Sequence, residues 1–527
     1  MAAGTSFDAV IIGAGHNGLA TAVHLARHGW SVGVFEAKDE AGGAVKTREL
    51  TLPGFRHDVA AMNLSMFAGS PFLKEHGAAL GRHGLAFAPA AHCFASVFPD
   101  HTWFGVSKDL DATLARLNRI NPKDAEAWSA MLARFGKDAP HIFGLLGNTM
   151  PSLAMAKVAW KAWRENGTAW MLDMLRFLLM PTRVWADAHF EDPKVKATLA
   201  AWGMHLDFPP DAAGGALFPY LESMADQAFG MVIGQGGADM MIRAMTGYLA
   251  ELGGTVELNA PVAEVLRDGK GASGIRLADG RIITARRAVI ANVTPRILFG
   301  KLLPDGTGKP AVDQKFKAFR PGPGTMMLHL ALDGLPDWVA GEELKQFAYV
   351  HIAPSYAYMS RAYEQAMDGL LPEAPVLVVG QPTVVDGSRA PEGKHILWVQ
   401  VRVLPKHITG DAANQISGTQ WHDIKDAYAE RVISIIERYA PGLRAKILAR
   451  AVVSPDDLEA ENPCLVGGDN LSGSHQLDQN FLFRPVAGYS RYSMPLDRLY
   501  MCGAATWPGA GTGAGSGYLL GKMLARA

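Results

Sequence analysis

Residues 7–12 read FDAVII, an apolar run broken only by Asp8. A run of that length predicts a strand buried on both faces. A glycine-rich turn follows, and residues 17–28 then repeat their apolar positions at helical spacing, with Gly29 at the helix end. Residues 31–35 form a second short apolar run. The pattern returns downstream: residues 238–252 predict a helix stopped by Gly253-Gly254, followed by a strand over 255–259 and three further strand-like runs. Asp268-Gly269 and Asp279-Gly280 separate those runs as hairpin turns. The final stretch, DRLYMCGAATWPGAGTGAGSGYLLGKMLARA, predicts a strand, a glycine-rich turn and a closing helix. Two longer tracts lie between these blocks. Residues 76–224 are helix-like and rich in Met and Trp. Residues 301–454 contain the strand-like runs TMMLHLALDGLP, YVHIAPSY and PVLVVGQPTVVDGS.

The first turn carries Gly13, Gly15 and Gly18 in the spacing GxGxxG. Gly13 permits a tight turn, Gly15 lets the backbone approach a pyrophosphate, and Gly18 lets the helix pack close to the strand. The helix then aims its N-terminal amides at the phosphates. Glu36 ends the second strand, where its carboxylate accepts from both ribose hydroxyls and repels a 2′-phosphate. Strand, turn, helix, strand and acid agree on a dinucleotide site, and NADP is disfavoured there. NAD and FAD share the ADP half, so the turn does not separate them.

Length and charge narrow the setting. At roughly 100–200 residues per domain, a chain of 527 predicts two to four structural units. Its net charge of −1 supplies no field for nucleic acid. No apolar run approaches the roughly 18 residues of a transmembrane helix. The first strand starts by Asp8, which leaves no room for a signal peptide and predicts a cytoplasmic setting. Cys93, Cys464 and Cys502 form no close pair, and the histidines show no metal-ligand spacing, so no metal site is predicted. Hydrolase elbow, HExxH and Walker A sequences are all missing.

The C-terminal motif favours flavin. LYMCGAATWPGAG resembles the carotenoid desaturase pattern Gly-Ala-x-Thr-His-Pro-Gly-Ala-Gly, and GGDNLSGSHQLDQNFLFRP resembles the segment that precedes it in that group. The chain is thus similar to the FAD-dependent desaturases and amine oxidases, within them the phytoene desaturase-like branch. The resemblance implies an α/β fold: a Rossmann-like FAD-binding domain of the glutathione reductase type, with a discontinuous α+β substrate domain. The expected division is 1–75, 225–300 and 455–527 for FAD, and 76–224 and 301–454 for substrate. It also implies FAD as cofactor, with Gly13, Gly15 and Gly18 on the pyrophosphate and Glu36 on the adenosine ribose. Gly43 would meet the pyrophosphate or ribityl chain, and the Val262 backbone the adenine. Gly503, Gly513 and Ala514 would line the ribityl chain and ring edge. The sequence departs from the pattern at Trp507, which replaces the histidine. It departs again at Ala44, where relatives carry arginine and Lys46 is the nearest substitute. Ala504 stands where wider flavoenzymes carry an acid, which argues against a typical amine oxidase.

The expected activity is dehydrogenation of a hydrophobic isoprenoid or alicyclic substrate, with hydride leaving to flavin N5 and a proton to a base or water. Alternatives are a reduced-FAD double-bond isomerase, a flavin-bound scaffold without turnover, and an amine oxidase. His57 and Asp58 of PGFRHD are acid–base candidates, and Trp507 a wall of the ring pocket. His329, His351, Tyr356 and Tyr358 are further pocket candidates. Electrons would pass to a quinone, oxygen or an electron-transfer protein. In MPSLAMAKVAWKAWRENGTAWMLDMLRFLLMP, Lys157, Lys161 and Arg164 share one helical face. Met155, Val158, Ala159, Ala162 and Trp163 share the other, which predicts either a core-packed helix or a peripheral membrane contact.

Overall fold

The structure is a computed structural model that describes residues 5–526. Its first sheet is built around strand Ser6–Ile12, which lies between two parallel neighbours, Val32–Phe35 and Ile282–Ala291. Ala9 is opposite Val32 on one side and Ala288 on the other, so Val10 and Ile11 are fully buried, as the uninterrupted apolar run predicts. Thr255–Glu257 extends the parallel sheet beyond Val32–Phe35. Leu499–Met501 extends it along the carboxyl half of Ile282–Ala291. The amino half of that long strand instead joins an antiparallel meander with Gly271–Leu277 and Val262–Asp268. Helices His16–Arg27, Met240–Glu251 and Gly515–Ala525 share one apolar core against the parallel strands, including Leu19, Val23, Met241, Leu249 and Leu520.

The second sheet orders Ile447–Val453, Gly324–Leu332, His395–Leu404, Val376–Gly380, Tyr349–Ile352, His92–Val97 and Trp103–Ser107. One face packs on helix Trp421–Tyr439. The other faces a helical layer that includes Pro193–Gly203 and Leu217–Phe229. All strands of the first sheet fall in the segments expected for FAD, and all strands of the second in those expected for substrate. Three expected boundaries fall inside helical turns, however. Position 75/76 lies in Pro71–Arg82, 224/225 in Leu217–Phe229, and 300/301 in Leu298–Leu302. At these three positions the chain is helical, and each helical segment packs into one core: Phe72 with the first sheet's helices, Tyr220 with the helical layer, and Leu298 with the meander. The clearest compositional marker of a crossing, the stretches PDGTGKP and PGPG leading into strand Gly324–Leu332, falls after the expected 300/301 boundary.

Helix Leu153–Leu179 breaks at Gly167, whose φ is 82°. Met155, Val158, Ala159 and Ala162 form its inner face before the break, as expected, but Trp163 is 45% exposed. Among the described residues no helix is long and apolar enough to cross a membrane.

Candidate cofactor and active site

A cleft of about 330 Å³ opens at the carboxyl edge of the parallel sheet. Open α/β sheets bind ligands there, because loops diverge from the strand ends and helix N-termini converge on them. Gly13 leaves strand Ser6–Ile12 with φ 90°, a conformation that side-chain-bearing residues rarely adopt. Gly15 is the N-cap of helix His16–Arg27, and no side chain caps that helix. Its first amides therefore remain free to meet an anion. Gly18 lies behind the turn, where a Cβ would come within 2.6 Å of the Gly13 carbonyl oxygen. It does not line the cleft, and it lets the helix close on the strand.

Glu36 stands at the adjoining strand end. Its carboxylate accepts from the Ala14 N–H at 2.7 Å and the Lys38 N–H at 3.1 Å, which fixes it in the cleft wall near Val262. The Gly42 N–H donates to the Ala14 carbonyl at 3.0 Å and lays the glycine doublet beside the first turn, so Gly43 joins the same wall. Lys46 lines the cleft too, but its ammonium is 2.6 Å from Glu461 and 3.4 Å from Glu40. Burial raises the Glu461 pKa, yet hydrogen bonds from Lys46 and Arg48 outweigh it and bring the value down to about 2. The ion-pair group thus stiffens the wall. The opposite end is formed by Gly503, Ala504 and Ala505 with Gly511 and Thr512. Gly513 and Ala514, expected here, instead form the turn into helix Gly515–Ala525 and do not line the cleft. The two residues before them do.

Asn292 is absent from the sequence-based candidates. It follows strand Ile282–Ala291, and its Nδ2 donates to the carbonyls of Gly13 and Gly15 at 3.3 and 3.4 Å. A lone polar residue after the run AVIA was its only signal. His16 also lines the cleft, with Nε2 3.1 Å from the Gly511 carbonyl. Burial pushes its pKa down to about 4, so the ring is neutral.

The three catalytic candidates lie elsewhere. Asp58 is fully buried, with Oδ2 2.5 Å from Arg389 Nη1. Its Oδ1 accepts from Thr47 Oγ1 at 2.6 Å and the Ala238 N–H at 2.8 Å. His57 is 2.8 Å from Thr51 Oγ1, packs 5.3 Å from the His329 ring, and is held down to about 4 by burial and then by Arg389. Neither side chain lines the cleft. Asp58 ties three distant loops through Arg389, which also donates to the Gly234 carbonyl at 2.7 Å. The Trp507 ring turns into the core, and its Nε1 donates to the Asn148 carbonyl at 2.9 Å. Its neighbours Ala504 and Ala505 face the cleft in its place. Tyr358 donates to the Pro375 carbonyl at 2.9 Å, and Tyr356 packs on Arg183, both away from the cleft. Among the described residues His24, Glu75 and His76 bring ligand-type atoms within 4.8 Å of one another. They come from two helices, which no local spacing reveals, and the His24–His76 contact at 3.3 Å and the Tyr518–Glu75 hydrogen bond engage them.

Two glycine-rich cradles, an acid on the second strand and an uncapped helix thus line one elongated cleft. Residues 18–527 match the family described as flavin containing amine oxidoreductase. The chain belongs to that family. It is an FAD-dependent oxidoreductase, and the uncapped helix N-terminus and glycine-rich loops that line the cleft suit an anionic cofactor of that kind. The chain is 28% identical to the mouse pyridine nucleotide-disulfide oxidoreductase domain-containing protein 2, over 97% of this chain and 92% of that protein. It is 27% identical to phytoene desaturase (neurosporene-forming) of Rhodobacter capsulatus, over 98% and 93%. These relatives match the phytoene desaturase-like branch that the C-terminal motif implied. An oxidoreductase of Methanosarcina mazei shares the fold, with TM-score 0.63 and 18% identity over 98% of this chain and 100% of that one. The mouse relative's name refers to a disulfide, but the three cysteines here are free.

Proposed function

We propose that this flavoenzyme is a dehydrogenase that introduces a C=C bond into a hydrophobic isoprenoid or alicyclic substrate. The observation that supports it most is the two-ended cleft. Glu36 and Val262 at one end would hold the adenosine. Gly13, Gly15 and Gly43 in the middle would hold the pyrophosphate, and Gly503 with Gly511 and Thr512 the ring end. The first sheet would thus be the FAD domain and the second the substrate domain. When bound, FAD supplies the hydride acceptor. The chain's own residues position that acceptor and keep water from it, and this task needs no catalytic triad. The desaturase relative favours CH–CH chemistry. Ala504, with no carboxylate, fits the desaturase side of the family.

Anaerobic titration with terpenoids, carotenoids and alicyclic compounds tests the reading. Bleaching of the yellow flavin by a substrate is the expected result, and a quinone, oxygen or an electron-transfer protein should restore the colour. Turnover only after prior chemical reduction would move the reading to double-bond isomerisation. No reduction by any member of the panel would leave a flavin-bound scaffold.

The surface of helix Leu153–Leu179 supports a lipophilic substrate. Leu172, Leu175 and Leu179 are 61%, 53% and 61% exposed, and Lys157, Lys161, Arg164 and Arg176 are exposed along the same helix. Apolar side chains beside cations complement an anionic bilayer surface. Sedimentation with anionic vesicles is expected for the parent protein and should fall several-fold in the Leu172→Glu/Leu175→Glu double variant. Equal sedimentation of both proteins would refute the contact.

A further inference from the structure

The second sheet presents two chemically different faces. Toward helix Trp421–Tyr439 it turns Leu328, Val350, Leu377, Val399 and other aliphatic side chains. The registers place Tyr349, His351, Trp398, Gln400 and Arg402 together on the opposite face. A sheet face that only packs against helices needs no such groups, and burying them without partners is unfavourable.

Several of these groups have no partner within the protein. Both ring nitrogens of His351 and the indole N–H of Trp398 are buried without a hydrogen bond. So are Trp202 Nε1 and His205 Nε2, which the helical layer brings to the same place. Trp202 lies 4.7 Å from His205 and 5.1 Å from His351, and His205 lies 5.3 Å from His351, between ring centroids. Tyr349 lies 5.9 Å from Trp398 and 6.4 Å from Trp202. Helix Leu217–Phe229 adds Ser223 Oγ and Asp226 Oδ2, again without partners. Buried polar atoms are almost always paired, so a contiguous group of orphans marks a place built for a ligand.

The group adjoins the cofactor cleft. Met62 packs against Gly380 and Trp398, since a Cβ on Gly380 would sit 3.0 Å from the Trp398 ring and 3.2 Å from Met62 Sδ. Ala61, beside Met62, lines the cleft, and the Asn63 carbonyl accepts from Thr512 Oγ1 at 3.2 Å. Met62 therefore stands between Ala61 of the cleft wall and the Trp398 end of the cluster.

We infer that this cluster recognises the oxygen of a neutral, ketone- or alcohol-bearing alicyclic or isoprenoid substrate rather than a bare hydrocarbon. The inference rests on the dehydrogenase reading only in taking this cluster as the substrate end of the same enzyme. The indole N–H groups of Trp202 and Trp398 can only donate, so they call for an acceptor oxygen. Burial holds His351 down at about 3, which keeps the ring neutral and able to donate from one nitrogen. Burial raises the pKa of Glu222 to about 7 and that of Asp226 well above its ordinary value, so the facing helix is a poor host for a further carboxylate. Arg402, whose guanidinium donates to the Met204 carbonyl at 3.2 Å and also to that of His205, disfavours an ammonium. A pure hydrocarbon would leave every one of these groups unmatched.

Calorimetric titration of the FAD-loaded protein with matched probes tests this. Carvone and limonene share one skeleton with and without a ketone, and camphor and bornane share another. At least one ketone is expected to bind about tenfold or more tightly than its hydrocarbon. His351→Phe keeps the ring and removes both nitrogens, and it should erase most of that preference while hydrocarbon affinity stays unchanged. Trp398→Phe removes a single donor and serves as a second variant if the first fails to fold. Equal or tighter hydrocarbon binding, absence of ketone binding in both skeletons, or a preference that survives both substitutions would overturn the inference. The two readings fail separately. Flavin bleaching by hydrocarbons without a ketone preference keeps the dehydrogenase and removes the recognition site. Ketone-selective binding without bleaching by any compound does the reverse.

Discussion

Gly15→Trp is expected to give a folded protein that purifies without yellow colour. Gly15 precedes the first turn of helix His16–Arg27, with its α-carbon against the glycine doublet and the cleft in front. A Cβ there would sit 2.9 Å from Asn292 Nδ2, the far end of a side chain on the cleft rim that can rotate away. The indole beyond it has no route except across the helix amides, where the pyrophosphate would lie. Both the charge-assisted hydrogen bonds to those amides and the space for the phosphates are lost, so FAD affinity should fall by at least about a thousandfold. Flavin absorbance per chain after purification, with circular dichroism as the folding control, checks this. Stoichiometric FAD in a folded Gly15→Trp protein would remove the pyrophosphate assignment and the cofactor path built on it. Gly15→Ala, which adds a methyl against Asn292 alone, should retain FAD with weakened affinity.

Arg389→Met is expected to destabilise the protein by about 3–5 kcal/mol, because it leaves the buried Asp58 carboxylate without its counter-ion, with only Thr47 and the Ala238 N–H still donating to it. Asp58 and Arg389 are both fully buried, and the guanidinium also reaches Asp386 at 3.3 Å. The double variant Asp58→Asn/Arg389→Met removes both charges and should recover part of the loss. Thermal unfolding of the FAD-loaded proteins measures the difference. The same experiment separates two views of Asp58. As an anchor, its loss lowers stability and spares the rate of flavin reduction. As a base, its loss spares stability and lowers the rate. An Arg389→Met protein as stable as its parent would refute the anchor.

The cofactor cleft was legible where its chemistry is local. Gly13, Gly15 and Glu36 belong to one strand–turn–helix–strand unit, so their spacing along the chain already sets their spacing in the fold; Gly43 follows that unit and was placed through motif resemblance. Val262 and Gly503 were placed through motif resemblance, and both reach the same cleft. Gly513 and Ala514 missed it by two residues, since glycines alternating at every second position define a flexible turn without saying which of its peptides faces inward. Asn292 was missed because a single asparagine carries no pattern until the sheet sets it against Gly13 and Gly15. His57 and Asp58 misled for a related reason. An adjacent imidazole and carboxylate look catalytic in sequence, but Arg389 lies 331 positions from Asp58, and only folding showed that it holds the carboxylate.

Binary pattern and turn chemistry alone predicted the first strand–turn–helix–strand unit with its GxGxxG spacing, the acid at the end of its second strand, and a closing strand, glycine-rich turn and helix at the carboxyl end. These follow from interactions within a few residues, where covalent geometry leaves little choice. The tertiary structure decided which polar groups are bound to the protein and which are left for a ligand. His329 and His351 occupy similar strand positions in sequence. The fold leaves the ring nitrogens of both without hydrogen-bond partners, but it sets His329 against His57 alone and places His351 between Trp202 and His205, whose own Nε1 and Nε2 are also unpartnered. Hydrogen-bond satisfaction in a buried site depends on partners from distant segments, so it exists only once the two sheets and the helical layer have closed.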